Sequence, residues 1–148
     1  MDEKDEVLVK ILARQANLSS RQLSEMTGIP VSTVHRRIGK LEDEGVIVGY
    51  RALIDYEKTN KPISALLLID LAEGSGKNHV PKNDIVSELK KHEEIEEIVE
   101  VQAFNFDFIV KARLFDLKGL STFIEELRSI EGIEELISAI ITEEIPVM

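Results

Sequence analysis

The sequence predicts an α+β protein in which three short helices precede a domain with the element order β-α-β-β-α-β. The first 55 residues place apolar side chains at helical spacing and interrupt them with glycines. From residue 63 onward, apolar runs of strand length alternate with helical patterns. The β-α-β-β-α-β order is that of the ferredoxin-like fold.

The composition is that of a globular chain with an aliphatic core. Apolar residues make up 43% of the 148 residues, aromatic residues only 5%, and cysteine is absent. No disulfide, thiolate zinc site or cysteine nucleophile is therefore expected. The longest apolar run, Ile63–Leu71, is far too short to span a membrane, and the charged N-terminus lacks an apolar signal stretch. We expect a cytoplasmic protein without a membrane partner.

Charge is distributed unevenly along the chain. The net charge is −10, but residues 1–55 carry 8 Lys and Arg against 9 Asp and Glu, whereas residues 56–148 carry 10 against 19. A polyanionic partner is disfavoured by the acidic second part. Any contact with nucleic acid therefore belongs to the first part.

The first two helices are predicted from periodicity and capping signals. Residues 5–14 form the first helix. Ser19 and Gln22 have the spacing of a capping box, which starts a second helix. Gly28 ends this helix as a left-handed cap.

The third helix is predicted from Pro30 to Glu44, and its two faces differ in character. One face is apolar and packs on the first two helices: Val31, Val34, Ile38 and Leu41. The other carries small polar and basic side chains. Three short helices joined by a glycine turn form a helix-turn-helix, whose last helix reads the DNA major groove.

The candidate DNA-binding residues lie on this last helix and beside it. They are Ser20, Arg21, Ser32, Thr33, His35, Arg36, Arg37, Lys40 and Arg51. Arg36 is placed to reach a guanine edge, and Ser32 and Thr33 to reach bases or phosphates. Arg37 lies to the side, where it either holds a phosphate or pairs with an acid.

The domain boundary is predicted after a short segment that follows the third helix. Residues 46–54 have the pattern of a strand pair forming a small wing, or of an arm. We therefore assign residues 1–55 to a DNA-binding domain with its hinge strand, 56–62 to a polar linker, and 63–148 to the ferredoxin-like domain. The expected elements of that domain are strands over 63–72, 98–103, 106–114 and 136–145, helices capped by Asn83 and Asp116, and a flexible Gly-Ser-Gly loop within 73–82.

The chain resembles the Lrp/AsnC, or feast/famine, family of transcription regulators. The resemblance rests on the string GIPVSTVHRRIGKLEDEGVIVGY over residues 28–50, on Phe106–Lys111, and on Gly132-Ile133. It implies a DNA-binding domain joined to an ACT-like domain for effector binding and assembly. It also implies homodimers that assemble further to tetramers or octamers, and an amino acid or related metabolite as effector.

The resemblance also implies an effector region, in which this sequence departs from the family. The residues concerned are Ala103, Phe104, Asn105, Asp107 and Ser138. Phe104 stands where the family has glycine, and it either fills the effector pocket or lines it for a different ligand. If the loop needs a positive φ, Asn105 is the residue to supply it.

Two alternatives remain open. One is an enzyme similar to siroheme decarboxylases, which would need histidines lining a tetrapyrrole cleft. The other is an assembly or sensing module whose helix-turn-helix no longer works. We expect no metal or other cofactor, because the three histidines have no ligand neighbours at helical spacing and the acidic pairs lack a calcium loop. For an oligomer, we expect a subunit interface built by Ile69, Leu71, Val99, Val101, Ile109 or their strand neighbours.

Overall fold

The computed structural model describes residues 1–73 and 79–147, which form two compact units. The helical unit consists of residues 1–54 together with the segment from Ile145. The sheet unit consists of residues 55–144. The predicted loop Gly74–Lys77 lies outside the described residues.

The helical unit contains the three predicted helices: α1 (Glu3–Leu12), α2 (Ser20–Thr27) and α3 (Val31–Asp43). α1 begins two residues before its predicted start, because Asp2 and Asp5 form a capping box. The Asp5 amide donates to Asp2 Oδ1 at 3.0 Å, and the Asp2 amide donates to Asp5 Oδ2 at 3.3 Å. The carboxylate pair satisfies the first amides of the helix, as a serine and a glutamine do at the start of α2.

A small aliphatic core holds these helices together. Its buried members are Leu8, Leu12, Leu23, Ile29 and Val34. Leu41 is buried as predicted, whereas Val31 is 45% exposed, so its predicted inward position is wrong. Val31 lies about 60° around the helix from Val34 and therefore at the margin of the apolar stripe.

The segment after α3 is extended but unpaired, so the predicted strand pair is wrong and the predicted arm is what the structure has. The amides of Val46 and Ile47 both donate to the Leu41 carbonyl, at 2.9 and 3.1 Å. These two bonds follow the left-handed Gly45, φ +71°, at the end of α3, and no hairpin follows over residues 46–54. Val48 is 94% exposed in the extended segment.

The sheet unit has the predicted ferredoxin-like fold. Its sheet has the order β2-β3-β1-β4, and every neighbouring pair is antiparallel. The elements are a 3₁₀ turn (Tyr56–Lys58), β1 (Ile63–Leu71), α4 (Lys82–Leu89), β2 (Ile95–Ala103), β3 (Phe106–Leu114), α5 (Leu117–Arg128) and β4 (Ile133–Ile140). Asp116 caps α5 as predicted, since its Oδ1 accepts the Gly119 amide at 2.6 Å.

Several element boundaries of the sheet unit differ from the prediction. α4 begins at Lys82, directly after Pro81, so Asn83 lies inside the helix and does not cap it. β2 begins at Ile95. β4 spans Ile133–Ile140, so it begins three residues before its predicted start and ends five residues before its predicted end. One further bond to β1 follows it, from the Ile141 amide to the Ser64 carbonyl at 2.9 Å.

The two faces of the sheet have different environments. Leu67, Val110 and Phe108 lie on the face covered by α4 and α5, in a core with Phe123 and Leu127.

Ile69 and Leu71 belong to the same core and are 0% and 8% exposed. They are therefore not available to a subunit interface, and the prediction for these two residues is wrong. Their neighbours on the opposite face remain open: Leu66, Val99 and Ile137 are between 36% and 47% exposed.

A glycine shapes the turn into β4. Gly132 has φ +98°, and a Cβ there would lie 2.8 Å from Cδ1 of Ile85 and 3.0 Å from Cβ of Val80. Both the backbone conformation and the close packing require a residue without a side chain.

Candidate DNA-binding surface and effector region

The turn between α2 and α3 orients the candidate recognition helix. Gly28 ends α2 in the left-handed conformation, with φ +73°. Ile29 then enters the core, 7% exposed, and its amide donates to Thr27 Oγ1 at 3.2 Å. Pro30 precedes the first residue of α3, where its missing amide hydrogen costs nothing. The turn therefore has the buried, hydrogen-bonded geometry of a helix-turn-helix.

The open side of α3 brings several of the predicted residues together. Ser32, His35, Arg36 and Lys40 are exposed, and Thr33 is half-buried. The Lys40 Nζ lies 3.7 Å from Glu44 Oε1, and because both side chains are exposed, water screens the attraction between them. Within residues 1–73 and 79–147, the Arg36 guanidinium makes no hydrogen bond or ion pair, so it is free to meet a ligand.

Arg37 adopts the second of its two predicted roles, that of an ion pair with acids. Its Nη1 lies 2.7 Å from Asp2 Oδ2 and 2.9 Å from Asp5 Oδ1. A hydrogen bond from the Asp5 amide and the Arg37 guanidinium lower the pKa of Asp2 to about 2. The hydrogen bond from Arg37 also lowers the pKa of Asp5. The structure therefore gives Arg37 no free charge for a phosphate, and this correction follows from the acidic start of α1.

The remaining predicted residues surround α3. Ser20 is the half-buried first residue of α2, and Arg21 follows it on the exposed side. Arg51 is exposed in the extended segment.

A residue that the sequence did not identify, Tyr50, holds this segment beside α3. The Tyr50 hydroxyl donates to Glu42 Oε1 at 2.6 Å, and this bond raises the pKa of Tyr50 to about 12. The eight-residue separation of the two residues gave no periodic signal.

Two cations that were not among the predicted site residues lie near the end of α1, which is at Leu12. Lys10 and Arg14, one helical turn apart, line a cleft of about 960 Å³ together with Arg51 and Leu53. Their spacing of four residues was the available signal.

The predicted effector residues lie in two separate places. Ala103 pairs with Phe106 across a two-residue turn formed by Phe104 and Asn105, and Phe104 is 92% exposed. Ser138 lies opposite Leu67 on β4, two strands away from that turn. No residue other than glycine has a positive φ among the described residues, so the condition under which Asn105 was expected to supply one is not met.

Asp107 has a structural partner within the chain. Its Oδ2 accepts the amide of Leu71 at 2.8 Å, at the end of β1 where the pairing with β4 shifts register. The carboxylate thus satisfies a backbone group that the sheet leaves unpaired.

The histidines give no support to a metal or tetrapyrrole site. His35 and His79 are exposed, and His92 packs edge-on against Phe123 with 5.4 Å between ring centroids. Over residues 1–73 and 79–147, no group of three or more His, Asp or Glu side chains is arranged to hold a metal ion. In the same ranges, no helix is long and apolar enough to cross a membrane.

Comparison with known proteins assigns a family to each unit. Residues 1–48 match the winged helix-turn-helix DNA-binding model, and residues 65–146 match the Lrp/AsnC ligand binding domain. The HTH-type transcriptional regulator FL11 of Pyrococcus horikoshii is 33% identical over 134 residues, which are 90% of this chain and 84% of that protein.

Solved structures agree with this assignment over nearly the whole chain. The feast or famine regulatory protein of Mycobacterium tuberculosis, in complex with L-methionine, is 26% identical with a TM-score of 0.84, covering 99% of this chain and 95% of that one. The leucine response regulatory protein LrpA of the same organism is 25% identical with a TM-score of 0.80, covering 99% and 96%. The chain belongs to the Lrp/AsnC family and is a transcription regulator with a helix-turn-helix DNA-binding domain and a ligand-binding domain.

Proposed function

We propose that this regulator binds two DNA half-sites as a two-fold homo-oligomer and changes its DNA affinity when an amino acid binds. The observation that carries the DNA part is the free Arg36 guanidinium on the open side of α3. Its neighbour Arg37 is neutralised by two acids, so the two arginines have separate roles.

The recognition surface is the open side of the first three turns of α3. Arg36 contacts a guanine edge through two parallel hydrogen bonds, the geometry that a guanidinium offers. Ser32 and Thr33, at the start of the helix, contact bases or phosphates, and Lys40 contacts a phosphate. Ser20, Arg21, His35 and Arg51 are the flanking candidates for backbone contacts, which increase affinity without selecting a sequence.

The open face of the sheet supports assembly with a second copy. Leu66, Val99 and Ile137 are exposed there, on three different strands, and Leu68 and Ile109 are half-buried beside them. An exposed apolar sheet face is costly in a monomer, and a second identical face covers it with two-fold symmetry. Two copies bring two recognition helices to DNA, so weak half-site binding becomes tight through avidity.

The effector part of the proposal depends on the same assembly. The hairpin turn with Phe104 and the distant Ser138 do not converge in one chain, so a pocket that uses both has to include another copy. An amino acid is proposed as ligand because the chain matches the family's ligand-binding domain and a relative was solved with L-methionine. Phe104, 92% exposed, supplies an apolar wall that favours an apolar side chain on the ligand.

Selection of genomic fragments with the purified protein, repeated with each amino acid present, tests the whole proposal. We expect the selected fragments to share an inverted pair of short motifs with centres about 10 base pairs apart. One amino acid should change the affinity of a selected fragment by roughly fivefold or more. Equal retention of selected and random fragments would contradict the DNA part, and no response to any amino acid would contradict the effector part.

A further inference from the structure

A buried arginine in the sheet unit has partners that the DNA-binding and effector roles do not use. Arg113 on β3 is 4% exposed. Its Nε donates to Glu96 Oε1 at 2.5 Å, and its Nη2 donates to the Glu144 carboxylate at 2.9 and 3.2 Å. The ring of Tyr56 covers the guanidinium, with 3.4 Å between Cζ and the ring centroid.

Two of these partners occupy special places in the chain. Tyr56 is the second residue after the chain leaves the helical unit, at 54–55. Glu144 is the last residue before the chain returns to the helical unit, at 144–145. All four residues belong to the sheet unit. The Arg113 side chain therefore contacts the start of one connection, through Tyr56, and the start of the other, through Glu144.

The cluster is balanced in charge and depends on the shape of a guanidinium. Lys111 also pairs with Glu144 and lies 3.9 Å from Glu96, which gives two cations and two carboxylates. The planar fork of arginine holds two carboxylates and an aromatic face together, whereas a lysine offers a single point of charge. Burial lowers the pKa of Arg113, but the hydrogen bonds to Glu96 and Glu144 and the charges of these two carboxylates together raise it above its usual value.

Stability alone does not account for such a cluster. A buried ion pair is often no more stabilising than apolar side chains of the same volume, because desolvation offsets the attraction. Apolar side chains, however, make no directional hydrogen bonds and would not fix the positions of two carboxylates and an aromatic ring around one side chain. The contribution of this cluster is therefore the fixed position of its residues.

We infer that Arg113 is a positioning residue, which restricts the freedom of both connections and thereby sets which spacing of DNA half-sites the oligomer accepts. The inference rests on the proposed two-half-site function for its DNA consequence. The restriction of the connections is independent of DNA and can be measured separately.

Limited proteolysis of the native protein measures the restriction. Lys58 provides a trypsin site in the first connection, and its side chain is 83% exposed, whereas Lys61 precedes Pro62 and is not cleaved. We expect Arg113→Met to accelerate cleavage after Lys58 by about fivefold or more at a temperature where the variant remains folded. Arg128→Met is the matched control, because Arg128 pairs with Glu125 in the same unit and touches neither connection.

Binding to a series of DNA fragments measures the consequence. Two half-sites are separated by the selected spacing or by one to five additional base pairs, and a single half-site serves as reference. We expect Arg113→Met to reduce the discrimination between the best and the worst spacing by about tenfold, while single half-site affinity stays unchanged. Tyr56→Ala should reproduce the effect, whereas Tyr56→Phe keeps the ring and should behave as the wild type.

The outcomes distinguish the restriction of the connections from its effect on the spacing of DNA half-sites. An unchanged cleavage rate in a folded Arg113→Met variant would overturn the inference whatever the DNA result. Faster cleavage with an unchanged spacing profile would overturn its DNA consequence. If Arg113→Met does not fold, Tyr56→Ala and Glu144→Gln decide in its place, and a wild type without any spacing preference would contradict the proposed function itself.

Discussion

The Arg37 Nη1 nitrogen lies 2.9 Å from the Oδ1 oxygen of Asp5, a carboxylate whose side chain is only 8% exposed. This contact joins the start of α1 to the middle of α3 across 32 residues of sequence. The adjacent Arg36 points to the open side of the same helix. Two consecutive arginines therefore have different roles: Arg37 pairs with acids within the helical unit, and Arg36 is exposed at its surface.

Replacing Arg37 should make the stability of the helical unit depend on pH in a specific way. Asp2 has a pKa of about 2 in the fold, and the pKa of Asp5 is lowered, against about 3.9 for an unfolded aspartate. A depressed carboxyl pKa stabilises the fold above the unfolded pKa, and this contribution is lost as the pH falls through the folded pKa. Arg37→Met should therefore lower Tm by several degrees at pH 7, and the difference from the wild type should shrink between pH 4 and pH 2.

Thermal unfolding followed by circular dichroism across this pH range is the measurement. Arg36→Met serves as the control, because its side chain has no acid partner among the described residues and should leave Tm unchanged. A gap between wild type and Arg37→Met that stays constant down to pH 2 would show that the two aspartates do not act through Arg37.

Arg36→Ala should reduce sequence-specific binding and relax the preference at one base position. The loss of a guanidinium that holds a guanine edge costs about 1–3 kcal/mol. Affinities for the selected fragment, for fragments substituted at each position, and for random DNA provide the test. An unchanged ratio of specific to random binding would exclude Arg36 from base recognition.

Lys40→Ala should weaken binding to all sequences evenly. A lysine on a phosphate releases bound counterions, so its removal should reduce the slope of log affinity against log salt by about 1. Lys90→Ala, an exposed lysine of the sheet unit, is the control for a change of net charge. A loss confined to one base position would assign Lys40 to base recognition instead.

The sequence predicted those features that depend on local signals. The capping box at Ser19, the left-handed Gly28 and the cap at Asp116 all involve residues within four positions of each other, and the structure contains each of them. The element order of the sheet unit followed from the same local patterns. Strand ends were less predictable, because the apolar pattern continues past Ile140, where β4 ends.

The features that the sequence did not predict depend on long-range contacts or on other copies. For Arg37 the sequence left pairing with an acid as one of two roles and did not identify Asp2 as the partner. This pair, and the cluster of Arg113 with Tyr56 and Glu144, join residues more than 30 positions apart and have no periodic signal. Val48 sits in a stretch with strand character that lacks a strand partner within the described chain. Periodicity indicates which residues prefer a strand, but it does not indicate whether a neighbour is present.

Gly39→Ala should stabilise the protein and weaken DNA binding. A Cβ at Gly39 would meet nothing within 4 Å in this chain, so alanine gains about 0.5–1 kcal/mol of helix stability. The glycine is therefore not required by the fold, and close approach of a DNA backbone is the reason we expect for it. Chemical denaturation of the variant measures its free energy of unfolding, and DNA titration measures its affinity for DNA.

A different glycine supplies the control for this experiment. Gly28→Ala introduces a side chain at φ +73° and should destabilise the fold. If Gly39→Ala stabilises the protein without any loss of DNA affinity, the helix does not approach DNA at this position.

A charge on the open sheet face should dissociate the oligomer. Affinity for paired half-sites should then fall, while affinity for a single half-site should not. Ile137 is 47% exposed and lies opposite Leu68 on that face, so Ile137→Asp places a carboxylate where a second copy is proposed to pack. We expect a smaller molar mass by light scattering and a loss of affinity for paired half-sites of about a hundredfold, at the lower end of avidity effects. Affinity for a single half-site should stay within about twofold.

The matched variant changes charge in the same unit but away from this face. Leu117 is 57% exposed at the first position of α5, where aspartate suits a helix start, so Leu117→Asp should leave mass and binding unchanged. A wild-type protein that is monomeric at micromolar concentration would contradict the assembly. If Ile137→Asp keeps the wild-type mass, the copies meet through another surface, for which the extended segment with Val48 is the next to test.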